Sequence, residues 1–74
     1  MTRTEKRFYA AFGRRVQKAR KLISMTQTEL AAQVGTTRAA IGNIECGRQR
    51  VLGHTAFALS QALCVPIAEL MVKP

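Results

Sequence analysis

Side chains that carry reactive chemistry are few in this sequence, and they are scattered. The acids are four glutamates, at positions 5, 29, 45 and 69, with no aspartate; the one histidine is His54, and the cysteines are Cys46 and Cys64. A metal site needs three or four such ligands at close, matched spacing, and acyl transfer needs a nucleophile, a base and an orienting acid. Neither pattern occurs, so the residues point away from an enzyme and away from any metal or other cofactor. The two cysteines match no CxxC or zinc spacing and are expected as reduced thiols, one of them buried. What the chain has in quantity is positive charge. Twelve Lys or Arg against four Glu leave +8 on 74 residues, which favours a polyanionic partner, nucleic acid first. The plain alternative is a solubilising surface.

Those cations have to be positioned by a small scaffold. Seventy-four residues make one domain, near the lower end of what a single apolar core supports. With three Phe, one Tyr and no Trp, that core must be built from Ala, Val, Ile and Leu. No apolar run approaches the roughly 20 residues of a membrane helix. The basic N-terminus lacks the apolar stretch of a signal peptide, so the chain reads as soluble and cytoplasmic.

Residues 1–7 are polar and are expected as a basic arm preceding a domain over residues 8–74. Phe8, Phe12, Val16, Ala19 and Ile23 recur in steps of three and four, which predicts a first helix from about Glu5 to Leu22. Its outer face carries Arg14, Lys18 and Lys21. Thr26-Gln-Thr-Glu29 has the form of a capping box, and Met25 and Leu30 are spaced as a hydrophobic staple, so a second helix begins at Gln27 and runs to about Val34. Gly35 offers the left-handed conformation that ends it. Thr37 can then cap a third helix over residues 38–45 with Ala40, Ile41 and Ile44 inward. A loop bearing Arg48 and Arg50 follows. A fourth helix near His54 to Leu63 uses the apolar spacing Ala56, Phe57, Leu59, Ala62, Leu63. Pro66 suits the first turn of a short fifth helix, about Ile67 to Met71. The expected class is all-α, with five short helices and no strand.

The order Gln27-x-x-Leu30-Ala31-x-x-Val34-Gly35, then Ile41-x-x-Ile44-Glu45-x-Gly47, resembles the phage repressor and Cro type of helix-turn-helix domain, often called XRE-like. Phe12-Gly13, Arg20, Ala62-Leu63-x-Val65 and Glu69-Leu70 extend the resemblance over about residues 8 to 71. It implies a compact five-helix domain of the lambda-repressor type, in which the second helix positions the third in the major groove. Ala31 and Gly35 supply the small side chain and tight turn that a steep helix crossing needs.

Site residues follow from the same resemblance. Thr37, Arg38, Ala39 and Asn43 fall at the base-reading positions of the third helix. Arg38 has the fork for guanine O6 and N7, and Asn43 the amide for adenine N6 and N7. Thr37 and Ala39 can offer methyl contacts to thymine. With Ala39 and Gly42 providing few reading groups, specificity is expected to lean on DNA shape. Thr26 and Gln27 at the start of the second helix, with Arg48 and Arg50 in the loop, are the expected phosphate contacts. Cys46 stands where relatives often carry a polar residue, and Cys64 where a C-capping glycine is usual. Arg20 lies at the edge of the apolar stripe and Glu45 on the inward side of helix three. The resemblance pairs them as an ion pair between helices one and three.

The implied function is a sequence-specific double-stranded DNA-binding regulator, a repressor by occlusion, acting as a homodimer on a near-palindromic operator in the nucleoid. Val65, Ile67, Leu70 and Met71 form the expected dimer face. Glu29 is the one exposed acid of helix two for a possible RNA polymerase contact, and no small-molecule ligand is expected. A restriction–modification controller protein is an alternative within the same class. An antitoxin-type protein-interaction module is an alternative outside it, and RNA binding is a third, disfavoured by the lack of stacking aromatics among the basic residues.

Overall fold

The computed structural model describes residues 1–72, so residues 73 and 74 of the expected domain lie outside the described residues. The chain becomes helical earlier than its apolar stripe indicates. Thr2-x-x-Glu5 repeats the capping-box form: the Thr2 hydroxyl accepts from the Glu5 amide at 3.1 Å and the Glu5 carboxylate accepts from the Thr2 amide at 2.9 Å. Helix α1 (Arg3–Leu22) therefore starts at Arg3, and the residues expected as an arm are mostly its first turns. Its inner face buries Ala11, Phe12, Gly13, Val16 and Arg20, with Phe8 half-buried. Ile23, expected to extend that stripe, is the C-cap and is exposed because the chain turns away there.

Helix α2 (Gln27–Val34) has both halves of the Thr26/Glu29 capping box and ends at Gly35, whose φ of 82° is the left-handed conformation. Met25 lies half-buried against the core that contains Leu30, as the staple spacing implies. Helix α3 (Arg38–Glu45) begins with the Thr37 hydroxyl accepting from the Ala40 amide at 3.1 Å. Helix α4 (Gly53–Leu63) starts one residue before the expected His54 and has no side-chain cap on Leu52. Helix α5 (Ile67–Leu70) stops one residue short of the expected Met71, with Pro66 as its N-cap. Among the described residues there is no strand, and no helix is long and apolar enough to cross a membrane.

One core unites the five helices: Phe12 and Val16 from α1, Leu30 and Ala31 from α2, Ile41 and Ile44 from α3, Ala56, Leu59 and Leu63 from α4, and Leu70 from α5. Each fully buried Leu or Ile contributes about 1.5–3 kcal/mol relative to exposure. Two expectations change at its margins. Phe57 is 54 % exposed, since Ala56 and Leu59 take the inward side of α4 and Phe57 is turned about 100° from Ala56. Cys46 and Cys64 are both exposed thiols, so neither is the buried one. Cys64 itself adopts φ 57°, the left-handed geometry of the glycine it replaces.

Close backbone contact fixes where α1 crosses α3. A Cβ on Gly13 would stand 2.2 Å from the Ile44 carbonyl oxygen and 2.7 Å from that of Glu45, whereas a Cβ on Gly42 would meet nothing within 4 Å. The two glycines should therefore respond oppositely to alanine. Gly13→Ala pushes against backbone that cannot swing aside and should cost at least the upper part of the roughly 1–3 kcal/mol typical of overpacking. Gly42→Ala should stabilise by about 1 kcal/mol through helix propensity. Thermal or urea melts of the two variants check this, and equal effects at both sites would contradict the close-crossing geometry.

Candidate nucleic-acid interface

Nothing in the first half of α3 is needed for the core except Ile41. Arg38 and Ala39 are exposed and Gly42 and Asn43 half-buried, because the helix lays Ile41, Ile44 and Glu45 inward and turns the other side out. That outward side floors a shallow open cleft of about 320 Å³. Arg38, Ala39, Gly42 and Asn43 meet there with Gln17 of α1, Gln27 of α2, and Cys46 and Arg48 just beyond α3. Donor groups from four segments thus converge on one concavity.

What holds those segments together is a buried ion pair. Arg20 donates from Nε to Glu45 Oε2 at 2.6 Å and from Nη2 to Glu45 Oε1 at 3.1 Å, a two-pronged contact, and its Nη1 donates to the Met25 carbonyl at 2.8 Å. Gln27 Nε2 adds a bond to Glu45 Oε1 at 3.0 Å. The side chains of Arg20 and Glu45 are only 10 % and 1 % exposed. Burial pushes the Glu45 carboxyl up, but the hydrogen bonds from Arg20, Gln27 and Gln17 outweigh it and hold the group below the usual carboxylate range. Arg20 is pushed up in turn, chiefly by its bond to Glu45. Among the described residues no buried side-chain polar atom lacks a partner.

The residues singled out from sequence divide into groups. Gln27, Arg38, Ala39, Asn43 and Arg48 come together on the cleft. Thr26 and Thr37 are exposed at its approaches, their hydroxyl oxygens occupied by the caps of α2 and α3. Arg50 does not join them. It lines a separate cleft between α2, α3 and α4, and its Nε donates to Glu5 Oε2 at 3.0 Å. That bond is the leading reason the Glu5 carboxyl is lowered to about 2, with the Thr2 amide second. Leu70, expected on a dimer face, is 2 % exposed and closes the core, while Ile67 at the start of the same short helix is left outside it. Val65 is half-buried, while Ile67 and Met71 are exposed. Gln17 was not singled out from sequence. Its position one turn before Arg20–Lys21 on the α3 side of α1 is the signal that could have found it.

The geometry is that of a positioning helix, a tight left-handed turn and an outward-facing second helix, and residues 16–70 match the helix-turn-helix family. The chain belongs to that family. No curated protein matches the sequence, but solved structures do. The restriction–modification controller protein C.AhdI from Aeromonas hydrophila is 29 % identical with a TM-score of 0.80, over 84 % of this chain and 94 % of that one. The P22 c2 repressor, solved in complex with a synthetic operator, is 30 % identical with a TM-score of 0.77, over 81 % and 91 %. A hypothetical transcription factor from Neisseria, NHTF, shares the fold at 24 % identity and a TM-score of 0.85, over 95 % and 80 %. This helix-turn-helix protein is a sequence-specific DNA-binding regulator.

In this helix-turn-helix chain the Arg20–Glu45 pair should be structural. Glu45→Gln leaves the Arg20 charge buried without its counter-ion and should cost roughly 3–5 kcal/mol. Because the folded state lowers the Glu45 pKa from 4.5, the pair's contribution is full above about that pH and is lost as pH falls through the lower folded value. Melting curves of wild type and Glu45→Gln from pH 7 to pH 3 should converge at the acid end. A variant that melts with wild type at pH 7 would remove the pair from the structural account.

Proposed function

We propose that this protein is a transcriptional repressor that binds a near-palindromic operator as a homodimer, with the leading half of α3 in the major groove. The observation carrying this reading is the single cleft on which Arg38 and Asn43 share a surface with Gln27 and Arg48. Base-edge donors and phosphate donors then occupy the positions a groove and its flanking backbone require. Arg38 reads guanine and Asn43 adenine, with Thr37 and Ala39 beside them. Thr26, Gln27 and Arg48 hold phosphates, the helix dipole of α2 adding to the first two. Arg50 has its Nε on Glu5, whose charge partly offsets its own, so it is a weaker clamp. One eight-residue helix covers too few base pairs to find a site alone, which is why a second copy is required. Its docking face narrows to Val65, Ile67 and Met71, since Leu70 is committed to the core. Repression then follows from occupancy of the operator.

A second reading, a restriction–modification controller, is favoured by the likeness to C.AhdI. The two share the DNA-binding chemistry and differ in which promoter the site overlaps.

Arg38→Ala should weaken the selected operator by about 1–3 kcal/mol and relax preference at one base position. Arg48→Ala should weaken all duplexes evenly and lower the salt slope by about one unit, and Arg50→Ala should lower it by less. Selection from random duplexes followed by salt titrations of binding reads both effects. Unchanged base preference in Arg38→Ala would return that residue to plain surface.

Sedimentation with a palindromic duplex tests the dimer. Two copies per duplex are expected at saturation, with half-sites roughly 10 base pairs apart, and a single copy would exclude the model.

A further inference from the structure

Helix α1 is longer than its core contacts require, and its outward face is almost entirely cationic. Arg3, Arg7, Arg14, Lys18 and Lys21 fall within about 60° of arc at roughly 100° per residue, and all five are exposed. At about 1.5 Å per residue, the span from Arg3 to Lys21 is on the order of 27 Å. Among the described residues none of the five is hydrogen-bonded or ion-paired to a side chain. The one acid of the helix, Glu5, is turned to its other side against Arg50. Arg3 with Arg7, and Arg14 with Lys18, are like charges four residues apart, where an acid would have given the helix a favourable pair. Arg3 and its neighbour Lys6 also lie in the first turn, where the helix dipole disfavours cations. A merely solvated face would not be built against both preferences. The helix-turn-helix match begins at residue 16, so Arg3, Arg7 and Arg14 lie outside the matched residues.

The ridge is continuous with the interface. Gln17, a wall of the α3 cleft, also lines the surface depression formed by Arg14, Lys18 and Lys21. We infer that the basic ridge of α1 is a second contact surface, which binds the sugar–phosphate backbone of the same duplex outside the base pairs read by α3. It rests on the duplex-binding reading above and adds to it a footprint that extends beyond the operator half-site. The ligand is phosphate presented at the regular spacing of a duplex strand. Binding there is independent of sequence, supplies affinity through counter-ion release, and leaves base preference to α3.

The test compares two duplexes carrying the same selected site, one trimmed to the site and one with about ten further base pairs on each side. Wild-type protein and Arg3→Gln/Arg7→Gln/Arg14→Gln are titrated between 50 and 200 mM salt. Wild type should show a steeper salt slope on the long duplex, by up to about three units for three phosphates. The triple variant should lose most of that slope difference, only Lys18 and Lys21 of the ridge remaining, retain the preference for the site over a scrambled one, and keep its helical circular dichroism. The charge-conserving Arg3→Lys/Arg7→Lys/Arg14→Lys variant should restore the difference. Equal slopes for wild type on both duplexes, or a flank effect that survives undiminished in the Gln variant, would overturn the ridge while leaving the α3 reading intact. Loss of site preference by wild type itself would instead defeat the operator reading.

Discussion

The arrangement of the first three helices turns on one guanidinium and one carboxylate. Arg20 sits in the last turn of α1, Glu45 is the last residue of α3, Gln27 is the first residue of α2, and the Met25 carbonyl belongs to the connection between α1 and α2. All four meet at the Glu45–Arg20 contact. Apolar contacts are non-directional and would tolerate several rotations of α3 against α1, whereas a planar fork facing a carboxylate has essentially one good geometry. A carboxylate at the negative end of a helix is unfavourable by itself, and Arg20 offsets that as well as the cost of burial. The pair also reaches the cleft directly, because Gln27 spends one amide hydrogen on Glu45 and is thereby oriented.

Small residues make that contact reachable. Gly13 lets α1 approach the last carbonyls of α3 to within the distance a methyl group would occupy, and Gly47, at φ 70°, places the following turn against the backbone of Ala10. Ala31 does the equivalent for α2 within the core. With the helices this close, Ile41, Ile44 and Glu45 are covered, and Arg38, Ala39, Gly42 and Asn43 are left on the outward side of α3.

Electrostatics completes the division of labour. Glu5 is bound to Arg50 and to the cap of α1, Glu29 to the cap of α2, and Glu45 to Arg20. Three of the four acids are therefore engaged within the chain, Glu5 and Glu45 each with a single arginine, and the positive excess is left to the remaining cations. Exposed cations gather along α1, at Arg3, Arg7, Arg14, Lys18 and Lys21, and around the cleft that Arg38 and Arg48 share with Gln17, an arrangement that favours approach of a polyanion from those sides.

Local grammar in the sequence determined most of the elements. The Thr26–Glu29 capping box, Gly35 and Thr37 place α2 and α3 to the residue, because caps and left-handed turns are chemistry between near neighbours in the chain. Thr2–Glu5 obeys the same rule, and α1 begins where it says rather than where the apolar stripe begins. The cleft residues Gln27, Arg38, Asn43 and Arg48 were legible because helical periodicity and the family spacing put them on one outward side. Tertiary structure alone decided the rest. Phe57 and Leu70 belong to equally apolar stretches, yet one is exposed and the other buried, since which side of α4 and α5 faces the core depends on where the helices packed against them lie. Arg50 is held by Glu5, 45 positions away, a pairing no local pattern specifies. Both cysteines are exposed for the same reason: burial is set by packing between distant segments, and a sequence pattern carries only the part of it that repeats within a helix.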